Sequence, residues 1–75
     1  MLSARKIVAV LKAQKISHVV GLPDNGSRCL FEVLITEETI EVIPVTREGE
    51  AMALAAGLYL GGARPLVLIQ NTGFL

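Results

Sequence analysis

The sequence has few of the residues that mark several classes of protein. Among its 75 residues are one cysteine, no tryptophan, one tyrosine and two phenylalanines. The single cysteine, Cys29, cannot form an internal disulfide, which is typical of a protein from a reducing compartment. Seven basic residues balance seven acidic ones. With no excess of positive charge and so few aromatic side chains, the chain is not expected to bind nucleic acid.

Long apolar runs are missing as well. No run approaches the roughly 18–20 residues needed to cross a bilayer. The N-terminal segment is interrupted by Lys12 and Lys15 and lacks the apolar core of a signal peptide, so we expect a cytoplasmic protein with no membrane segment. Even so, 52% of the residues are apolar, although a chain this short buries only about 60–65% of its surface. This surplus predicts surfaces that more chain or a partner covers.

The hydrophobic pattern predicts the order α-β-α-β-α-β in one domain over residues 1–75. The predicted helices cover residues 4 to about 14, 26–35 and 46–62, and the predicted strands cover residues 16–22, 40–45 and 66–69. Strand–helix–strand crossovers of this length imply parallel strands. We therefore expect an α/β fold with three layers, α/β/α, around a short parallel sheet. The last strand is continuously apolar, which is typical of a strand buried on both faces.

The third predicted helix is unusual because it is apolar on nearly every side after its first turn, which predicts a buried helix. Its charges are Arg47, Glu48 and Glu50, all in the first turn. A carboxylate there is stabilised by the helix dipole, by about 0.3–1 kcal/mol when exposed. The helix follows a strand end, where open α/β sheets bind ligands. From these residues alone, Glu48 is as well explained by a structural role as by a functional one.

Three segments carry a family resemblance: Gly21-Leu22-Pro23-Asp24, then Arg47-Glu48-Gly49-Glu50-Ala51 with Ala55-Ala56-Gly57, then Gln70-Asn71-Thr72-Gly73. In this order and at this spacing they resemble the N-terminal pyrimidine-binding domain of thiamine-diphosphate (ThDP) enzymes. The likeness is greatest to sulfopyruvate decarboxylase α subunits and phosphonopyruvate decarboxylases. It covers nearly the whole chain, which would be a truncated domain, about its first half.

The resemblance implies a lyase that decarboxylates a 2-oxo acid. In the family, a glutamate at the position of Glu48 contacts the N1′ nitrogen of the cofactor's aminopyrimidine and thereby activates the cofactor. An acid in the first strand-end loop assists proton transfers on the substrate, which indicates Asp24, with Asn25 as the alternative. The family uses the loop after the third strand near the cofactor, which indicates Asn71 and Thr72.

The resemblance also implies a partner. ThDP enzymes hold the diphosphate and Mg²⁺ in a separate domain or β subunit marked by Gly-Asp-Gly, a tripeptide that does not occur in this sequence. We therefore expect no metal ligands in this chain, an oligomeric assembly, and little activity or cofactor binding by the isolated chain.

Other interpretations stay open at this point. The chain could be a non-catalytic α/β module that binds a small metabolite or a protein, or an inert fragment. Asp24 and Asn25 also fit an ordinary turn and helix cap. We expect a structural role for His18, early in a strand, and for Glu50 either a structural role or one as a salt-bridge partner. Cys29 is expected to be buried as a small apolar side chain.

Overall fold

A computed structural model describes residues 3–24 and 27–69. Its elements are α1 (Ala4–Ala13), β1 (His18–Gly21), α2 (Arg28–Ile35), β2 (Glu41–Pro44), α3 (Glu48–Leu60) and β3 (Pro65–Leu68). The predicted order is confirmed, and most elements are a few residues shorter than their apolar segments. Among the described residues, no helix has the length and apolarity needed to cross a bilayer.

The first helix begins and ends where its local chemistry predicts. The Ser3 hydroxyl caps α1 by accepting a hydrogen bond from the backbone N–H of Lys6 at 3.2 Å. At the other end the helix stops at Ala13, and Lys15 adopts a left-handed conformation with φ 60°. One face of α1, centred on the buried Val8, packs towards the sheet, so α1 is an ordinary amphipathic helix.

The sheet is parallel, with the strand order β2-β1-β3. The central strand is β1, in which Val19 and Val20 are 0% exposed. All four residues of β3 are only half-buried, so the prediction that β3 is buried on both faces was wrong. The apolar run does form a strand, but within residues 3–24 and 27–69 that strand has a neighbour on one side only.

The helices lie in two layers on opposite faces of the sheet. Val19 packs into one core with Val8 of α1, Leu34 of α2 and Ile40. Because side chains alternate along a strand, Val20 points to the other face, where α3 contacts β1 and β3. The predicted α/β/α arrangement is confirmed.

The strand–helix–strand connections indicate which edge of the sheet ligands use in folds of this type. The chain passes from β1 through α2 to β2, then back over β1 through α3 to β3. The direction of winding therefore reverses between β1 and β3. In open α/β sheets the crevice at such a reversal, outside the carboxyl ends of the strands, is where ligands bind.

Candidate functional site

The carboxyl ends of the three strands meet in register, since Gly21 of β1 pairs with Pro44 of β2 and with Leu68 of β3. The segment after β1 leads to Asp24, and the segment after β2 leads to Glu48, the first residue of α3. The fold therefore brings both predicted acids to the same edge of the sheet. Asn71 and Thr72, which follow β3 in sequence, lie outside the described residues.

A close backbone approach holds this edge together. A Cβ atom added at Gly21 would overlap the Leu68 carbonyl oxygen. That same oxygen accepts a hydrogen bond from the backbone N–H of Leu22 at 3.2 Å, and the Gly21 carbonyl accepts one from Val45 at 2.9 Å. Gly21 is thus needed for packing between strands, a role that the sequence did not signal.

Glu48 occupies the first turn of α3. Its side chain is partly buried. The residue before it, Arg47, is the N-cap and forms no side-chain capping hydrogen bond. Within residues 3–24 and 27–69, the Glu48 carboxylate accepts no hydrogen bond and forms no ion pair. A partly buried carboxylate at a helix N-terminus, where it is favoured electrostatically, is thus available to a donor from outside this segment.

Glu50 has a different role from Glu48. Its Oε1 accepts a hydrogen bond from the backbone N–H of Thr46 at 3.1 Å. This contact resembles the backward half of a capping box, moved one residue along the chain. The structural role predicted for Glu50 is confirmed, and of the two glutamates in this turn only Glu48 is uncommitted among the described residues.

Asp24 is partly committed to its own turn. Its Oδ1 accepts hydrogen bonds from the backbone N–H of Ser27 at 2.9 Å and from the Ser27 hydroxyl at 3.1 Å. These contacts organise the turn before α2. Oδ2 has no partner among the described residues, so one oxygen remains able to contact a ligand. The catalytic role of Asp24 stays a prediction, and its alternative, Asn25, lies outside the described residues.

His18 lies away from this edge, and Cys29 is the second residue of α2. His18 begins β1 at the opposite end of the sheet, and its Nδ1 lies 2.7 Å from the Ser17 hydroxyl oxygen, which fits the structural role predicted for it. Cys29 is exposed, so its predicted burial was wrong. The buried face of α2 consists of Phe31 and Leu34, and Cys29 lies outside it.

An open pocket of about 180 Å³ lies between α1 and the C-terminal part of α2; its lining residues are Arg5, Val8, Ala9, Lys12, Val33, Thr36 and Glu37. Lys12 and Glu37 form an ion pair across it at 3.3 Å. Partial burial acts to raise the pKa of Glu37, but the hydrogen bonds from Lys12 and Thr39 outweigh it and hold the pKa below its ordinary value. The pair joins the two helices, and nothing in the local sequence signals it.

Within the part of the chain that the structure describes, metal-ligating side chains do not cluster at the strand-end edge or at the pocket between α1 and α2. Within the described ranges, no three or more His, Cys, Asp or Glu side chains lie close enough together to hold a metal ion. At the strand-end edge, this part of the chain offers carboxylate hydrogen-bond acceptors, from Asp24 and Glu48.

Comparison with known proteins finds relatives that are named as decarboxylases or decarboxylase subunits. Phosphonopyruvate decarboxylase from Streptomyces viridochromogenes is 36% identical over 73 residues, which is 97% of this chain and 18% of the relative. The sulfopyruvate decarboxylase subunit alpha of Methanocaldococcus jannaschii is 34% identical over 67 residues, 89% of this chain and 40% of the relative. The same subunit from Methanothermobacter thermautotrophicus is 32% identical over 71 residues, 95% of this chain and 43% of the relative.

The chain thus spans less than half the length of these relatives. Residues 1–74 match the family described as "Thiamine pyrophosphate enzyme, N-terminal TPP binding domain", TPP being another name for ThDP. The fold, with three helices and a three-stranded parallel sheet, is consistent with this match. The chain belongs to the thiamine pyrophosphate enzymes, through their N-terminal TPP binding domain.

Proposed function

We propose that this chain is part of a ThDP-dependent decarboxylase that acts on a 2-oxo acid of the sulfopyruvate or phosphonopyruvate type. Its relatives carry the names of these two enzymes. The observation that carries the proposal is the partly buried Glu48 at the carboxyl edge of the sheet, whose carboxylate has no partner within residues 3–24 and 27–69.

Glu48 fits what an aminopyrimidine ring needs from a protein. A ring nitrogen that shares a proton requires an acceptor that no other donor occupies, and Glu48 has no such donor among the described residues. Partial burial strengthens a charge-assisted hydrogen bond, because less water competes for the carboxylate. Glu48 would hold a proton at N1′ of the ring. ThDP, when bound, would supply the electron sink for the decarboxylation.

The other predicted site residues have narrower roles in this proposal. The Oδ2 atom of Asp24, which has no hydrogen-bond partner among the described residues, would exchange a proton with the substrate, while Oδ1 keeps the turn in place through Ser27. Asn71 and Thr72 would contact the cofactor from the segment after β3. These three assignments rest on the family resemblance and on the position of each residue after a strand.

The proposal requires a second domain or subunit that binds the diphosphate. Gly-Asp-Gly does not occur in this sequence, so the diphosphate and Mg²⁺ would be bound by a separate domain or β subunit. Some relatives are named as alpha subunits, and we propose that this chain likewise works in an oligomer with a diphosphate-binding subunit.

The test is a Glu48→Gln substitution in the complete assembled enzyme, assayed by CO₂ release from a panel of 2-oxo acids with ThDP and Mg²⁺. We expect turnover to fall by about 10²–10⁴-fold, the usual contribution of a proton-transferring side chain, with an unchanged circular dichroism spectrum. Glu50→Gln is the matched control, because its amide oxygen can still accept the hydrogen bond from Thr46. Near-normal turnover by Glu48→Gln would refute the assignment.

A further inference from the structure

The pocket between α1 and α2, here called the α1–α2 pocket, has no part in the proposed reaction, yet its size suits a small ligand. Its volume is about 180 Å³, several times the roughly 30 Å³ that one water molecule occupies in the liquid. It is smaller than the roughly 300–1,000 Å³ of pockets that hold drug-sized molecules. Val8, Ala9 and Val33 give it an apolar lining, so it fits a ligand with a short hydrocarbon part.

One positive charge in the α1–α2 pocket is not balanced by the described residues. Arg5, Lys12 and Glu37 all line the pocket, and Lys12 is paired with Glu37 at 3.3 Å. Arg5 forms no ion pair within residues 3–24 and 27–69. A guanidinium group presents its N–H donors in a planar fork that matches a carboxylate. The pocket therefore favours a ligand with one carboxylate, and Glu37 disfavours a second negative charge there.

Two hydrogen-bond acceptors in the α1–α2 pocket have capacity left. The Thr36 hydroxyl donates its proton to the Val33 carbonyl oxygen at 2.7 Å, so its lone pairs can accept another hydrogen bond. Glu37 Oε1 accepts a hydrogen bond from the Thr39 hydroxyl at 3.2 Å and pairs with Lys12. Glu37 Oε2 has no partner among the described residues. Both groups can therefore accept a hydrogen bond from a hydroxyl group of the ligand.

We propose that the α1–α2 pocket binds a small monocarboxylate that carries a hydroxyl group. The carboxylate contacts Arg5, and the hydroxyl donates a hydrogen bond to Thr36 or Glu37. The short hydrocarbon part packs on Val8 and Val33, which line the pocket. A dicarboxylate is a poorer ligand, because its second charge would lie close to Glu37.

The test is a titration of the full protein with L-lactate, followed by NMR of ¹³C-labelled valine methyl groups. We expect saturable shifts of the Val8 and Val33 signals, since both residues line the pocket. Val45, which follows β2 at the strand-end edge, should not shift. A ligand of about six non-hydrogen atoms makes few contacts, so we expect a Kd in the millimolar range. Unshifted Val8 and Val33 signals at about 50 mM lactate would overturn the proposal.

Two ligands of nearly the same shape separate the contributions of the carboxylate and the hydroxyl group. Lactamide replaces the carboxylate with a neutral amide, and propionate lacks the hydroxyl group. Because charge-assisted hydrogen bonds are the stronger ones, we expect Kd to rise about tenfold for lactamide and less for propionate. Equal Kd values for lactate and lactamide would refute the contact with Arg5. Equal values for lactate and propionate would refute the contact of the hydroxyl group.

Arg5→Gln removes the unbalanced charge and should raise the Kd for lactate about tenfold. Lys6→Gln is the matched control, because Lys6 is an exposed cation of the same helix and does not line the pocket. Its Kd should stay close to the wild-type value, since only a screened, more distant charge is lost. Equal weakening by the two substitutions would mean that lactate responds to overall charge alone, which contradicts a defined site.

This proposal does not rest on the proposed function, since neither Asp24 nor Glu48 lines the α1–α2 pocket. Glu48→Gln should therefore bind lactate with the wild-type Kd, whatever its turnover. Lactate that shifts Val45 and leaves Val8 and Val33 unchanged would occupy the strand-end edge instead, and the proposed site would be wrong.

Discussion

The two helical layers of this protein bury their inner surfaces alike but differ on their outer surfaces. On one side, α1 and α2 pack on each other and on the sheet around Val8, Val19 and Leu34, with an ion pair between them. On the other side, α3 is the one helix that the described residues place on β1 and β3, and its residues after Glu50 are uncharged. Among the described residues, α1 and α2 cover part of each other, whereas the outer side of α3 is exposed.

The N-terminal ends of α1 and α3 also differ. The Ser3 hydroxyl caps α1, but the N-cap of α3, Arg47, gives no side-chain capping hydrogen bond. Layer membership does not decide this, since the N-cap of α2, Ser27, gives none either. In the first turn of α3, Glu50 accepts a hydrogen bond from the backbone N–H of Thr46, and Glu48 stays uncommitted among the described residues.

The largest predicted effect is on the free energy of unfolding, and it compares a buried residue of the first layer with an exposed residue of α3. Leu34 is 0% exposed and Leu60 is 85% exposed. We expect Leu34→Ala to lower the free energy of unfolding by about 2–5 kcal/mol. The same change at Leu60 should cost about 0.5 kcal/mol or less. Urea unfolding of each variant without the partner subunit measures both, and a comparable loss at Leu60 would mean that α3 is already covered within its own chain.

A smaller effect should come from the helix caps. Ser3→Ala removes the acceptor for the Lys6 N–H and should destabilise the protein by about 1 kcal/mol. Arg47→Ala removes a side chain with no capping hydrogen bond, so we expect a loss of only a few tenths of a kcal/mol, typical of exposed positions. Thermal unfolding followed by circular dichroism compares the two. A larger loss for Arg47→Ala would show that α3 is capped after all.

How much could be predicted from the sequence differs between local and non-local features. The order of elements follows from local periodicity, and the Ser3 cap from one residue and its neighbours, so both were predictable. The central position of β1 depends on strands that pair across the chain. The overlap that a side chain at Gly21 would cause with Leu68 depends on the same pairing. A continuous apolar run predicted a strand correctly but not its place in the sheet.

The candidate site was predictable as a position but not as a set of contacts. The strand–helix junction placed Glu48 at the ligand edge, since the order of elements already fixes where strands end. The hydrogen bonds that commit one oxygen of Asp24 to Ser27 depend on turn geometry. For α3, the prediction of a buried helix was only partly right. Ala51 and Ala55 are buried, but Tyr59 and Leu60 are 70% and 85% exposed, because an apolar pattern does not show which side of a helix the sheet covers.

The smallest effect concerns pH and acts on the first layer alone. Hydrogen bonds from Lys12 and Thr39, which outweigh partial burial, hold the pKa of Glu37 below its ordinary value of 4.5 when the protein is folded. A carboxyl with a lowered folded pKa stabilises the protein above its unfolded pKa, and this contribution is lost as the pH falls through the folded value. Lowering the pH from about 5 to about 3 should therefore cost the wild type more stability than it costs Glu37→Gln.

The measurement is the urea midpoint at each pH, with Glu38→Gln as the control, because Glu38 is an exposed neighbouring acid and the substitution removes the same charge. The effect should be small, since the Lys12 side chain is 47% exposed and solvent screens the pair. As the pH falls, we expect hydrogen exchange to become faster in α1 and α2, next to the ion pair, and to stay unchanged in α3. Equal pH dependence in wild type and Glu37→Gln would show that the α1–α2 layer is closed by its apolar contacts alone.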